Sequence, residues 1–153
     1  MVQNPGAAHS DQYLLQRIIG ATPEQLCVLL IEGAQKFLLQ AINATKERNI
    51  ADKARFVNRV SAIIEELTVQ LNHDEENELV INLSRIYEWW MNQLFEASRG
   101  NDFEKLEKVY EQMSSMRATW EELIHKQAAD AAHGNRQRPP LPSAGGLGTE
   151  FIG

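Results

Sequence analysis

The stretch that decides the fold is Thr22 to Arg48, TPEQLCVLLIEGAQKFLLQAINATKER. Thr22 is a good helix cap, Pro23 brings a preset first-turn φ, and Gln25 stands where a capping box needs its second member. The stretch predicts one long helix ending at about Arg48. Turning successive residues by about 100° puts Leu26, Leu30, Gly33, Ala34, Phe37 and Ala41 on one stripe. Val28, Ile31, Leu39 and Ile42 fall on a second face. A helix at the rim of a bundle needs only one apolar stripe. The surplus is explained by a more central position, by cover from the preceding segment, by self-association into a homodimer, or by a groove for a partner helix.

Downstream the pattern repeats three times. After a break at Asn49, Ala54, Val57, Val60, Ile64, Leu67 and Leu71 line a second helix that ends near Asn72. Asp74-Glu75-Glu76 places negative charge where the next helix dipole is positive. In that third helix Leu79, Leu83, Ile86, Tyr87, Trp90, Leu94 and Ala97 share a stripe, while Ile81, Trp89 and Phe95 lie off it. Gly100 suits a left-handed stop. Asn101, with Glu104 three residues on, reads as a capping box opening a fourth helix lined by Leu106, Val109, Tyr110, Met113, Trp120 and Ile124. No window alternates like a strand. The pattern predicts an all-α fold, an antiparallel four-helix bundle over residues 22–127.

The flanks differ. Residues 1–21 form a lead-in with an apolar patch, Tyr13-Leu14-Leu15 and Ile18-Ile19, expected to act as a cap. Residues 128–153 are rich in Ala, Gly and Pro, with too little apolar surface to offset ordering, and are expected to be a disordered tail.

Composition narrows the function. A chain of 153 residues fits one domain. Its net charge of −6, with Lys and Arg scattered, argues against a nucleic-acid partner. No apolar run approaches the roughly 20 residues of a spanning helix, and no secretory leader opens the chain, so a cytoplasmic protein without membrane insertion is expected. The single cysteine, Cys27, excludes an intrachain disulfide and has no evident His partner. Glu122-Leu-Ile-His125 is half of a carboxylate-bridged di-iron motif but occurs once. There is no phosphate-cradling loop, nucleophile elbow or zinc spacing. The expectation is a binding protein, not an enzyme, with no metal and no cofactor. Gly33 stands out, because a mid-helix glycine costs about 1 kcal/mol against alanine and usually marks a kink or close backbone approach.

Particular residues then point to a family. Thr22-Pro23-Glu24-Gln25-Leu26, followed by Leu30-Ile31-Glu32-Gly33-Ala34, resembles the opening of the flagellar secretion chaperones, the FliS family. Asn82-Leu83-Ser84-Arg85-Ile86-Tyr87-Glu88-Trp89-Trp90-Met91 is similar to the family's Asn-Leu…Leu-Tyr-Asp-Tyr-Met block. Leu94-Phe95-Glu96-Ala97 and Asn101-Asp102 are similar to its Leu-x-x-Ala-Asn…Asn-Asp turn, and Trp120 matches a late tryptophan. The likeness spans roughly residues 10–125. Departures are Glu76-Asn77-Glu78 for Gly-Gly-Glu, Trp89-Trp90-Met91 for Tyr-Met, and Ala97-Ser98 for Ala-Asn.

The resemblance implies a bundle that holds the disordered C-terminal segment of flagellin in the cytoplasm. Holding it prevents premature polymerisation and presents the subunit to the flagellar export apparatus. It also implies a mobile N-terminal segment that covers apolar surface until the client displaces it. On that basis Val28, Ile31, Gly33, Leu39 and Ile42, with Ile81, Tyr87, Trp89, Trp90 and Phe95, are the candidate partner-binding residues. Tyr13, Leu14 and Ile18 are the candidate cover.

Overall fold

The computed structural model describes residues 5–71 and 77–134, with side-chain surroundings from residue 11 onward. Five α-helices and no strand are found among the described residues: α1 Pro5–Ile19, α2 Pro23–Lys46, α3 Ile50–Val69, α4 Glu78–Gly100 and α5 Phe103–Ala132. Most of the lead-in is thus helical. At the far end α5 continues to Ala132, so residues 128–132 extend a helix and are not the start of a disordered tail. The remaining tail from residue 135, and the acidic run 74–76, lie outside the described residues.

The local chemistry of the ends explains the boundaries. Thr22 forms the expected capping box: its Oγ1 accepts from the Gln25 N–H at 3.2 Å, and the Gln25 side chain accepts from the Thr22 N–H at 3.0 Å. Asn49 caps α3 and Asn77 caps α4. α2 stops two residues early because Arg48 takes the left-handed conformation at φ 58°. The turn after α4 departs from expectation. Gly100 stays helical, and Asn101 adopts the left-handed conformation at φ 53°. Asn101 therefore ends α4 instead of opening α5, and Asp102 caps α5. Asparagine tolerates this region better than most residues, which is why it serves here.

Four helices share one core. α2 packs on α3 and on α5, and α4 packs on the same two, closing a ring of helices. The α4 stripe read from periodicity is buried in full, Leu79 through Ala97. In α3, Val57, Val60, Ile64 and Leu67 are buried, Leu71 is half-buried, and Ala54 is exposed. In α5, Met116 joins the expected residues in the core, while Tyr110 and Ile124 sit at its margin.

The surplus on α2 resolves the same way. Val28, Ile31 and Ile42 join Ala34, Leu38 and Ala41 inside, with Ile31 at 0% exposure. A helix with two close neighbours buries two faces, which accounts for Val28, Ile31 and Ile42; Leu39 of the same face stays exposed. By length and composition α2 could span a membrane; its packing between α3 and α5 accounts for that apolarity.

Polar groups fix the register of this core. Buried Gln35 donates through Nε2 to Ser114 Oγ at 2.7 Å and to the Tyr110 carbonyl at 3.2 Å, and its Oε1 accepts from Arg117 at 2.9 Å. Trp90 Nε1 donates to Gln112 Oε1 at 2.9 Å. Lys53, though 7% exposed, donates through Nζ to the Ser98 carbonyl at 2.8 Å, near the negative end of the α4 dipole. Pairing of this kind offsets the cost of burying polar groups, and each pairing disfavours a shifted register.

Candidate functional site

At the end of the bundle where α2 and α4 begin and α3 ends, the helices part. An apolar cleft of about 410 Å³ opens there. Leu26 and Cys27 of α2, Leu67 and Leu71 at the end of α3, Leu79, Val80, Leu83 and Tyr87 of α4, and Trp120 of α5 line it. A cavity of that size accepts one or two large side chains of a partner. It lies where α3 ends, at Val69, and α4 starts, at Glu78.

The walls are chemically quiet. Burial and the nearby Glu24 carboxylate push the Cys27 thiol up to about 11, so at neutral pH it is a protonated, weakly nucleophilic group. Burial, and beyond it the Cys27 charge, likewise pushes the Tyr87 hydroxyl upward. The Tyr87 and Trp90 rings meet at 5.4 Å with their planes tilted 45°. The Trp120 indole N–H is buried and has no hydrogen-bond partner among the described residues. A second, smaller hollow of about 310 Å³ lies between Gln16, Arg17 and Gly20 at the end of α1 and Val28, Leu29 and Ile124.

The structure distributes the candidate residues unevenly. Val28, Ile31, Ile42, Tyr87 and Trp90 belong to the core and do not form a free docking face. Of these only Tyr87 reaches the cleft wall, and Val28 reaches the smaller hollow. Gly33 marks no close backbone approach, since an added Cβ would meet Ile63 Cδ1 at an ordinary 3.6 Å. Leu39, Ile81, Trp89 and Phe95 are exposed on the outer faces of α2 and α4, Leu39 at 47% and Phe95 at 62%. Tyr13, Leu14 and Ile18 do not seal the bundle: every residue of α1 from 11 onward is exposed, and α1 packs extensively on no other helix among the described residues. Periodicity assigned Leu26, Leu71 and Leu79 to plain seams, and left Val80 out. Their position at parted helix ends was the missing signal.

No group of three or more His, Cys, Asp or Glu side chains is gathered among the described residues, and Glu122 and His125 are both exposed. The fold and cleft define a helical bundle with an apolar cleft at one end.

The family model described as "Flagellar protein FliS" matches residues 6–128. The chain belongs to that family. It is similar to the flagellar secretion chaperone FliSB of Pseudomonas aeruginosa, 29% identical over 109 residues, covering 71% of this chain and 86% of that protein. It is similar to the flagellar secretion chaperone FliS of Salmonella typhimurium, 26% identical over 120 residues, or 78% and 89% of the two chains. Its likeness to the flagellar secretion chaperone FliS of Bacillus subtilis is 28% over 134 residues, or 88% and 96%.

Proposed function

We propose that this protein is a cytoplasmic export chaperone. It binds the disordered C-terminal segment of flagellin, keeps it from polymerising early, and delivers it to the flagellar export apparatus. Membership of the family over residues 6–128 carries this reading, since the relatives named above are flagellar secretion chaperones. The fold subdivides into an up-and-down four-helix bundle that supplies the surface and an N-terminal helix appended to it.

The cleft and the exposed apolar residues support the same reading. Ordering a disordered segment costs free energy that wide apolar burial must offset. An anchor side chain seated between Leu26, Val80 and Leu83 supplies a deep contact. Ile81, Trp89 and Phe95 on α4 and Leu39 on α2 offer shallower contacts for a segment that continues around the bundle. Tyr13, Leu14 and Ile18 on the unpacked α1 are free to add to the client contact.

Calorimetric titration of a synthetic peptide with the flagellin C-terminal sequence tests this. The wild-type protein is expected to bind, and Leu26→Asp and Val80→Asp to weaken binding at least tenfold while retaining helical circular dichroism. Absence of binding to wild type refutes the flagellin reading. Undiminished binding by both variants refutes the cleft.

A further inference from the structure

A second feature lies farther along the seam of α2 and α3. Phe37 of α2 and Phe56 of α3 stack there with centroids 6.4 Å apart and planes 22° from parallel. Each ring carries a guanidinium: Arg59 stands 5.2 Å from the Phe37 centroid and Arg55 4.6 Å from the Phe56 centroid. The result is a four-layer stack across the helix–helix seam, cation, ring, ring, cation. Phe37 lies ten residues beyond Cys27 on α2, and Phe56 eleven before Leu67 on α3. The stack is therefore about 15 Å from the cleft along the helix axes.

Stacking uses the face of a guanidinium and leaves the N–H donors at its edge free. Arg55 spends one of these on Asp52 at 3.3 Å, an exposed pair. Arg59 has no carboxylate partner among the described residues. The rings hold both side chains in place, so less rotamer entropy is lost when a partner binds them. The surroundings have the same sign: residues 46–60 hold five basic residues, of which only Lys53 is buried, against the two acidic residues Glu47 and Asp52. Farther along, at the end of α2, Lys46 stands 5.0 Å from the Phe103 ring centroid and Arg48 is exposed. In a chain of net charge −6 this is a marked local reversal.

We infer that the Arg59–Phe37–Phe56–Arg55 stack is a docking surface for an acidic segment of a second protein, one that binds beside the occupant of the cleft. Charge complementarity selects the partner: carboxylates meet the guanidinium edges bidentately, and an apolar side chain between them lies against the ring edges. A nucleic acid fits less well, because two ring-held guanidinium groups on an acidic protein neutralise few phosphates.

The test uses the full chain and a twelve-residue peptide repeating Asp-Glu-Leu-Glu as the probe. Titration by calorimetry and by amide NMR is expected to give binding that weakens with added salt, with the largest shifts at residues 36–40 and 52–60. The double variant Arg55→Glu/Arg59→Glu is expected to weaken probe binding at least tenfold and to leave binding of the flagellin-tail peptide unchanged. Should the reversal disturb folding, Arg55→Gln/Arg59→Gln reads the same loss in a milder form. Equal probe affinity in wild type and variants overturns the proposal. So does a probe that shifts the cleft residues, or a reversal that abolishes only binding to polyuridine or to phosphatidylserine vesicles. A wild-type dimer in light scattering that the reversal converts to monomer would assign the surface to a second copy, and overturns it equally.

Discussion

α1 and α2 are both helices with large apolar side chains on more than one face, and their fates are opposite. α2 lies between α3 and α5, and of its second face Val28, Ile31 and Ile42 are inside the core while Leu39 is exposed. α1 has no such neighbours, and Leu14, Leu15, Ile18 and Ile19 are exposed, Ile19 at 76%. Periodicity reports that a helix has apolar surface to bury. Which other element is close enough to bury it is a separate fact, and it decides whether the surface is core or contact.

The sharpest way to break this comparison is charge on each face of α2. Ile31→Asp buries a carboxylate with no partner and is expected to cost more than about 4 kcal/mol, abolishing a cooperative thermal transition. Leu39→Asp, on the exposed side, is expected to stay within about 0.5 kcal/mol. Similar melting curves for the two would mean that α2 is not central.

A smaller loss follows from the covered thiol on α2. The folded state holds the Cys27 proton more tightly than the unfolded chain, whose thiol titrates near 9.0. Stability from this source is complete below about pH 9 and falls as the pH rises toward 11. Buried Tyr87 acts in the same direction. In denaturant melts between pH 8 and 11, Cys27→Ala is expected to flatten the fall without removing it; an unchanged slope would show that the thiol is not desolvated.

Gly33→Ala sharpens the comparison from the other side. The new methyl finds ordinary contact with Ile63, so the variant is expected to gain about 0.5–1 kcal/mol in a thermal melt. A loss would mean that α2 and α3 do need the glycine. The smallest effect on stability belongs to α1: deleting residues 1–19 is expected to change it by less than about 0.5 kcal/mol, since little packing is lost. Binding of an apolar dye is expected to fall with the deletion, because exposed surface is removed. A rise in dye signal would instead show α1 to be a cover.

Much of the bundle was legible from residue types. The capping box at Thr22, the break at Asn49 and the whole buried stripe of α4 follow from short-range rules. These rules work because caps and 3.6-residue periodicity depend only on neighbours within a turn or two. The turn at Gly100 and Asn101 was misread at the level of one residue. Both residues are able to take the left-handed place, and sequence alone does not choose between them.

The docking surfaces were less legible. Leu26, Leu79 and Tyr87 look like any other core positions until the fold places them around one cleft. Phe37, Phe56, Arg55 and Arg59 come together only because α2 and α3 lie side by side. By itself, the order of amino acids determined that this chain is helical, where most of its helices begin, and that it carries the marks of the FliS family. Which apolar faces are sealed, which stand open, and which charges meet which rings was decided by the tertiary structure, because burial depends on what lies across a seam and not on what is adjacent in the chain.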